Sequence, residues 1–152
     1  MSSKQQIVSG LVLVALALEI AAIATPNWGS SSGLTIGLWK SCLSGGQCVQ
    51  LPMNADDTFP KNSLHAVRAF CIMSAVFLFL SICPSAHMPL DVGGKSKALM
   101  MAGGVSALLA MVIWLAEFSK LSGNKITPAY SFYLNVGAAI CALGAVGYAK
   151  YY

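Results

Sequence analysis

Apolar and polar positions along this chain alternate in long blocks rather than every second or fourth residue. Four blocks are almost wholly apolar: 7–25, 66–83, 98–118 and 130–149. Each is roughly 18 to 21 residues, which at a rise of about 1.5 Å per residue crosses a hydrocarbon layer of about 30 Å as a helix. The pattern therefore predicts four transmembrane helices, with the second block the shortest and drawing a turn from its flanks. All four are rich in Ala, Gly and Ser. Small residues let helix backbones approach where no hydrophobic effect drives helices together. Gly103, Gly104 and Ser106 in the third block, and Gly137, Ala138, Ala139 and Gly144 in the fourth, form such faces. They suit packing within one bundle, and also packing between subunits.

The polar intervals are unequal: 26–65, 84–97 and 119–129. The first contains "LTIGLWKSC", which mixes β-branched and aromatic residues, then Gly45-Gly46, then "QCVQL". This reads as a β-hairpin, with Trp39 in the middle of its first strand. Cys42 and Cys48 fall on opposite arms, within reach of a disulfide. A two-stranded hairpin is marginal on its own in water. Trp28, just past the first block, and Trp39 are expected to pin it to the helix ends, since tryptophan favours the membrane boundary. After an irregular stretch rich in Pro, Asn and Asp, "NSLHAVRAF" re-enters helix, with Asn62 or Ser63 as the expected N-cap.

Composition agrees with the blocks. The chain is 57% hydrophobic and 9% charged, against about 25% charged residues in soluble domains. Basic residues do not orient it: Lys4, Lys95, Lys97 and Lys150 lie on one side, and Lys40, Lys61, Arg68, Lys120 and Lys125 on the other. A disulfide does, because disulfides persist in oxidising compartments. It places the hairpin loop outside and both termini in the cytoplasm, as in a multi-pass plasma-membrane protein. A cleaved signal peptide ending at Ala22–Ala24 is disfavoured, because the first block exceeds the 7–15-residue apolar region such peptides carry.

Several residues carry candidate chemistry. Glu19 lies inside the first span, where a carboxylate is costly and marks a functional site by default; a hydrogen-bonded acid facing the bundle interior is the plainer reading. Arg68 opens the second span, placed to bond loop carbonyls or to pair with Asp56, Asp57 or Glu117. Asp56 and Asp57 read as a solvated turn, offset by Lys40 and Lys61. Cys83, at the cytoplasmic end of the second span, is a candidate for palmitoylation. Cys71 and Cys141 read as small apolar fillers. His65 and His87 fall on opposite faces of the membrane and cannot share a metal within one subunit. No Cys–His cluster has zinc spacing, and no catalytic set or phosphate-cradling loop is present. The expectation is a protein without enzymatic activity, without cofactors and without nucleic-acid partners.

Trp28, then Gly37-Leu38-Trp39, then Cys42 and Cys48, then Arg68, resembles the signature of the claudin superfamily. That group holds the claudins, the peripheral myelin and epithelial membrane proteins and the lens fibre membrane protein. "LHAVRAF", "KSKALMMAGGVSALLAMVIWLAEF" and "AYSFYLNVGAA" resemble the family's second, third and fourth helices. The resemblance implies a left-handed four-helix bundle with a small extracellular antiparallel β-sheet, whose surface meets neighbours in the same or the facing membrane. Two functions follow. One is cell–cell contact or junction architecture, through extracellular loop contacts and lateral self-association in cis and in trans, with membrane lipids around the bundle. The other is a cis-acting accessory subunit of a channel or receptor partner, or a myelin-type membrane organiser. The first loop is shorter than a typical claudin's and the second outer loop is short, proportions that resemble the myelin and epithelial membrane protein branch or an early-diverging member.

Overall fold

The computed structural model describes residues 3–51, 61–83, 94–118 and 126–151. Asp56, Asp57, His87, Lys120 and Lys125 lie outside the described residues. The four apolar blocks are four helices, α1 (Ser3–Ala24), α2 (Lys61–Ile82), α3 (Gly94–Phe118) and α4 (Tyr130–Tyr151), each long and apolar enough to span a membrane. Three of them start before their apolar block does. The extra turns are polar, such as Lys61-Asn62-Ser63 in α2, which hydropathy alone does not count as span. Asn62 and Ser63 are thus inside α2, and neither is its N-cap.

The helices pack with their small residues inward. Ala15 and Ala22 of α1, Ala107 and Ala110 of α3, and Ala138, Ala142 and Ala145 of α4 are fully buried. Gly103 lies against Leu78 and the Ser74 carbonyl of α2, and Gly104 against Leu143 and Ala142 of α4, so both serve contacts inside one bundle. The apolar side chains left exposed, among them Leu13, Ile20, Ile72, Phe79, Val112 and Ile140, form the outer surface of the bundle. That is the surface lipid would cover.

One end of the bundle carries a five-stranded antiparallel sheet, which replaces the expected two-stranded hairpin. Its strands are β1 (Gly29–Ser31), β2 (Leu34–Ile36), β3 (Lys40–Leu43), β4 (Cys48–Gln50) and β5 (Thr127–Pro128), in the order β4-β3-β2-β1-β5. The expected single strand through "LTIGLWKSC" is broken at Gly37–Trp39. These three residues form the corner between β2 and β3, so Trp39 is not mid-strand. β5 comes from the segment between α3 and α4 and pairs with β1, Gly29 opposite Pro128 and Ser30 opposite Thr127. Two residues are too few for a periodic pattern to reveal, and proline is tolerated there because β5 is an edge. The β3–β4 turn closes through Leu43 N–H to the Gln47 carbonyl and Gly46 N–H to the Leu43 carbonyl, with Gly46 at φ 84°. Glycine enters that left-handed region at no steric cost.

Candidate functional site

The junction between sheet and bundle is built from the residues that stood out in the sequence. A helix ends with four carbonyls that have no partner in the helix. At the end of α1, the Ala21 carbonyl accepts from Thr25 (Oγ1, 2.6 Å), the Ala22 carbonyl from the Trp28 indole N–H (2.7 Å), and the Ile23 carbonyl from the Trp39 indole N–H (3.1 Å). The two loop tryptophans therefore cap the first span. Trp28 is fully buried, its ring tilted against Trp114 at 5.4 Å and edge-on to Phe132 at 6.2 Å. Trp114 in turn stacks on Phe118. Such aromatic pairs add about 0.5–1.5 kcal/mol each beyond the area they bury. Trp39 differs: it is half exposed, at the rim.

Gly37 and Leu38 complete the corner. A Cβ on Gly37 would lie 2.5 Å from Pro26 Cα, so only glycine lets the chain pass this close to the end of α1. Leu38 is fully buried and plugs the same core as Trp28, Leu64 and Val67. Gly29 is also closely approached, though by side chains: its Cβ would meet Ile126, just before β5, at 2.6 Å and Trp114 of α3 at 3.2 Å.

Arg68, on the second turn of α2, is buried under this corner. Its Nε donates to the Leu38 carbonyl (2.8 Å) and its Nη2 to the Leu51 carbonyl (2.9 Å). Its guanidinium carbon stands 4.7 Å from the centre of the Trp39 ring. Leu38 precedes β3 and Leu51 follows β4, so one guanidinium ties together both feet of the β3–β4 hairpin. The planar fork of arginine is suited to that span. Of the carboxylates considered for it, Glu117 is exposed and has no part in this arrangement, whose partners among the described residues are the two backbone carbonyls and His65, its Nδ1 3.5 Å from Nη1.

Cys42 and Cys48 are directly opposite in the β3–β4 register and are joined by a disulfide, with Cα atoms 4.0 Å apart. The turn between them, 43–47, and the β4 strand that follows, 48–50, are exposed throughout. Cross-linking so small a loop is worth about 2–3 kcal/mol on the chain-entropy model. Because Arg68 holds the feet and the disulfide holds the tip, replacing both cysteines by serine is expected to loosen the tip alone. Hydrogen exchange should show amide protection lost over 41–49 and kept in α1 and α2; loss of protection in the helices would refute this division.

A second polar group lies deeper. Glu19 is fully buried in the bundle, and neither carboxyl oxygen has a hydrogen-bond partner among the described residues. Its polar neighbour is the thiol of Cys71, which also stands 3.9 Å from Asn135 Oδ1. Asn135 donates to the Ala107 carbonyl (2.9 Å), so this polar layer draws on all four helices. Sequence reasoning passed over Asn135, although an amide inside a fourth apolar block was the available clue. A buried polar atom without a partner costs about 1–3 kcal/mol. Glu19→Leu is therefore expected to stabilise the bundle by about that amount, read as a higher midpoint of thermal unfolding in detergent. A lower midpoint would mean that the carboxyl has a partner in the folded protein. Of the other free cysteines, Cys83 is exposed at the end of α2 and Cys141 is half-buried in α4. No group of three His, Cys, Asp or Glu side chains among the described residues could hold a metal.

The four spans, the five-stranded sheet and the tryptophan–arginine junction can be set against known proteins. The model of the PMP-22/EMP/MP20/Claudin family matches residues 4–148. The chain belongs to that family. Among curated proteins it is 26% identical over 137 residues to epithelial membrane protein 1 of Rattus norvegicus, a match covering 86% of this chain and 82% of that protein. The match to the family model spans all four helices and all five strands, so the junction lies inside the shared region rather than in an appendage. This claudin-family chain is a multi-pass tetraspan membrane protein.

Proposed function

We propose that this tetraspan protein acts at cell–cell contacts, with the sheet outside the plasma membrane, both termini in the cytoplasm, and the sheet surface around 34–51 meeting neighbouring molecules. Lateral self-association would gather copies into contact zones. The observation that supports this reading most directly is the way the sheet is held. Two tryptophans and one guanidinium fix its position on the bundle, and a disulfide closes its tip, while the stretch 43–50 stays exposed. A surface fixed in this way meets a partner with little ordering cost.

The test uses cells that do not adhere to one another. Expression of the full chain with a fluorescent tag should concentrate it where two expressing cells touch, and those cells should aggregate. Uniform membrane fluorescence without aggregation would overturn the proposal. A second reading, a membrane organiser or accessory subunit acting in cis, draws support from the match to an epithelial membrane protein. Recovery of a stoichiometric partner from solubilised membranes, with no enrichment at contacts, would select it.

A further inference from the structure

We propose that the underside of the β3–β4 hairpin is a lipid-binding surface that rests on the outer part of the leaflet at the sheet end of the bundle. The register fixes which residues share that side. Opposed residues in an antiparallel ladder point to the same face, and neighbours along a strand to opposite faces. Gly29, Ile36, Ser41 and Val49 are linked across the sheet, as are Ser31, Leu34 and Leu43. Ser30, Thr35, Cys42 and Cys48 form the other side, joined by Thr127.

The first side faces the helices. Ile36 is 4% exposed and belongs to the core beneath the sheet, and the missing Cβ of Gly29 would point into Ile126 and Trp114. Yet on the same side Leu43 is 51% and Val49 48% exposed. The difference follows from the strand order. By these exposures β1 and β2 lie over the bundle, and Leu43 and Val49 of β3 and β4 stand past its edge. The apolar side chains on this underside, Leu43 and Val49, thus overhang without a described helix covering them.

What lies under the overhang is set by its feet. They stand on α1, through Trp39 bonded to the Ile23 carbonyl, and on α2, through Arg68 bonded to the Leu51 carbonyl. One turn further into the membrane on the same helix faces are Ile20, three residues before Ile23, and Ile72, four after Arg68. They are 54% and 45% exposed and belong to the lipid-facing belt. The apolar belt therefore runs up the α1–α2 side and continues under the hairpin. Half-exposed Trp39 marks the boundary, the level at which tryptophan rings partition. An apolar shelf above such a belt fits the glycerol and upper acyl region of a phospholipid.

The unaltered chain can test this in phosphatidylcholine nanodiscs holding one copy each. Methyl resonances of Leu43, Val49 and Thr127 would be followed against two paramagnetic probes. One is a phosphatidylcholine with a nitroxide high on its acyl chain, and the other a water-soluble gadolinium chelate. The lipid nitroxide is expected to broaden Leu43 and Val49 strongly while gadolinium spares them. Thr127, exposed on the opposite side, should show the reverse. Broadening of Leu43 and Val49 by gadolinium would overturn the proposal. So would protection from both probes in one-copy discs, which would mean that the chain covers its own shelf. Protection that develops only in discs holding two copies would assign the surface to a second copy instead.

Discussion

Arg68→Met is expected to destabilise the fold by about 3–6 kcal/mol, since a hydrogen bond from a charged donor contributes about 1.5–3 kcal/mol and the two to backbone carbonyls are lost together. The Leu38 and Leu51 carbonyls that accept these bonds are left in a buried corner. Contact with the half-exposed Trp39 ring adds about 0.5–1 kcal/mol. Arg68→Lys should recover only part of this. A single ammonium keeps the charge but lacks the fork that spans both carbonyls. Reversible unfolding in mixed micelles, followed by tryptophan fluorescence, gives the order parent, lysine variant, methionine variant. A methionine variant within about 0.5 kcal/mol of the parent would show that water takes over both carbonyls, because an unmade buried bond costs more than that.

Gly37→Ala should be comparably damaging for a different reason. The added methyl group would stand 2.5 Å from Pro26 Cα, 3.0 Å from Pro26 C and 3.1 Å from the Lys40 carbonyl. All three are backbone atoms, so no side chain can rotate away. Overpacking costs about 1–3 kcal/mol where side chains can adjust, and here the upper end or beyond is expected. The corner would have to move off the end of α1, taking the Leu38 plug and the Trp39 cap with it. Gly45→Ala is the matching control, because a Cβ there meets nothing within 4 Å. Surface delivery and thermal midpoint should fall for Gly37→Ala and stay near the parent for Gly45→Ala. Equal behaviour of the two would refute the steric account.

The spans were legible because lipid imposes one requirement on every residue that crosses it, and an apolar block some twenty residues long satisfies it. The disulfide was legible too, since Gly45-Gly46 between two short arms leaves the cysteines few places to go. The sheet was less so. "LTIGLWKSC" has the composition of a strand throughout, and only the close approach of Gly37 to Pro26 turns it into a corner. β5 left no trace in the pattern, because its two residues are held by a partner strand about a hundred positions away. Arg68 was visible as a cation at a membrane entry. Its acceptors were not, because a backbone carbonyl has no letter in a sequence. The same applies to the tryptophans: their hold on the sheet was expected, whereas their bonds to the last carbonyls of α1 belong to tertiary structure.

The way α1 is finished bears on how the protein is made. Its capping groups are not supplied by its own sequence. The Trp28 indole reaches the Ala22 carbonyl, but the walls around that ring are Trp114 and Phe132, and the strand that completes the sheet is Thr127–Pro128. The caps of α1 come from the residues just after it, but the walls that enclose the Trp28 ring come from α3 and α4, which are made last. The last helix thus helps to enclose the end of the first, although about a hundred residues separate Trp28 from Phe132.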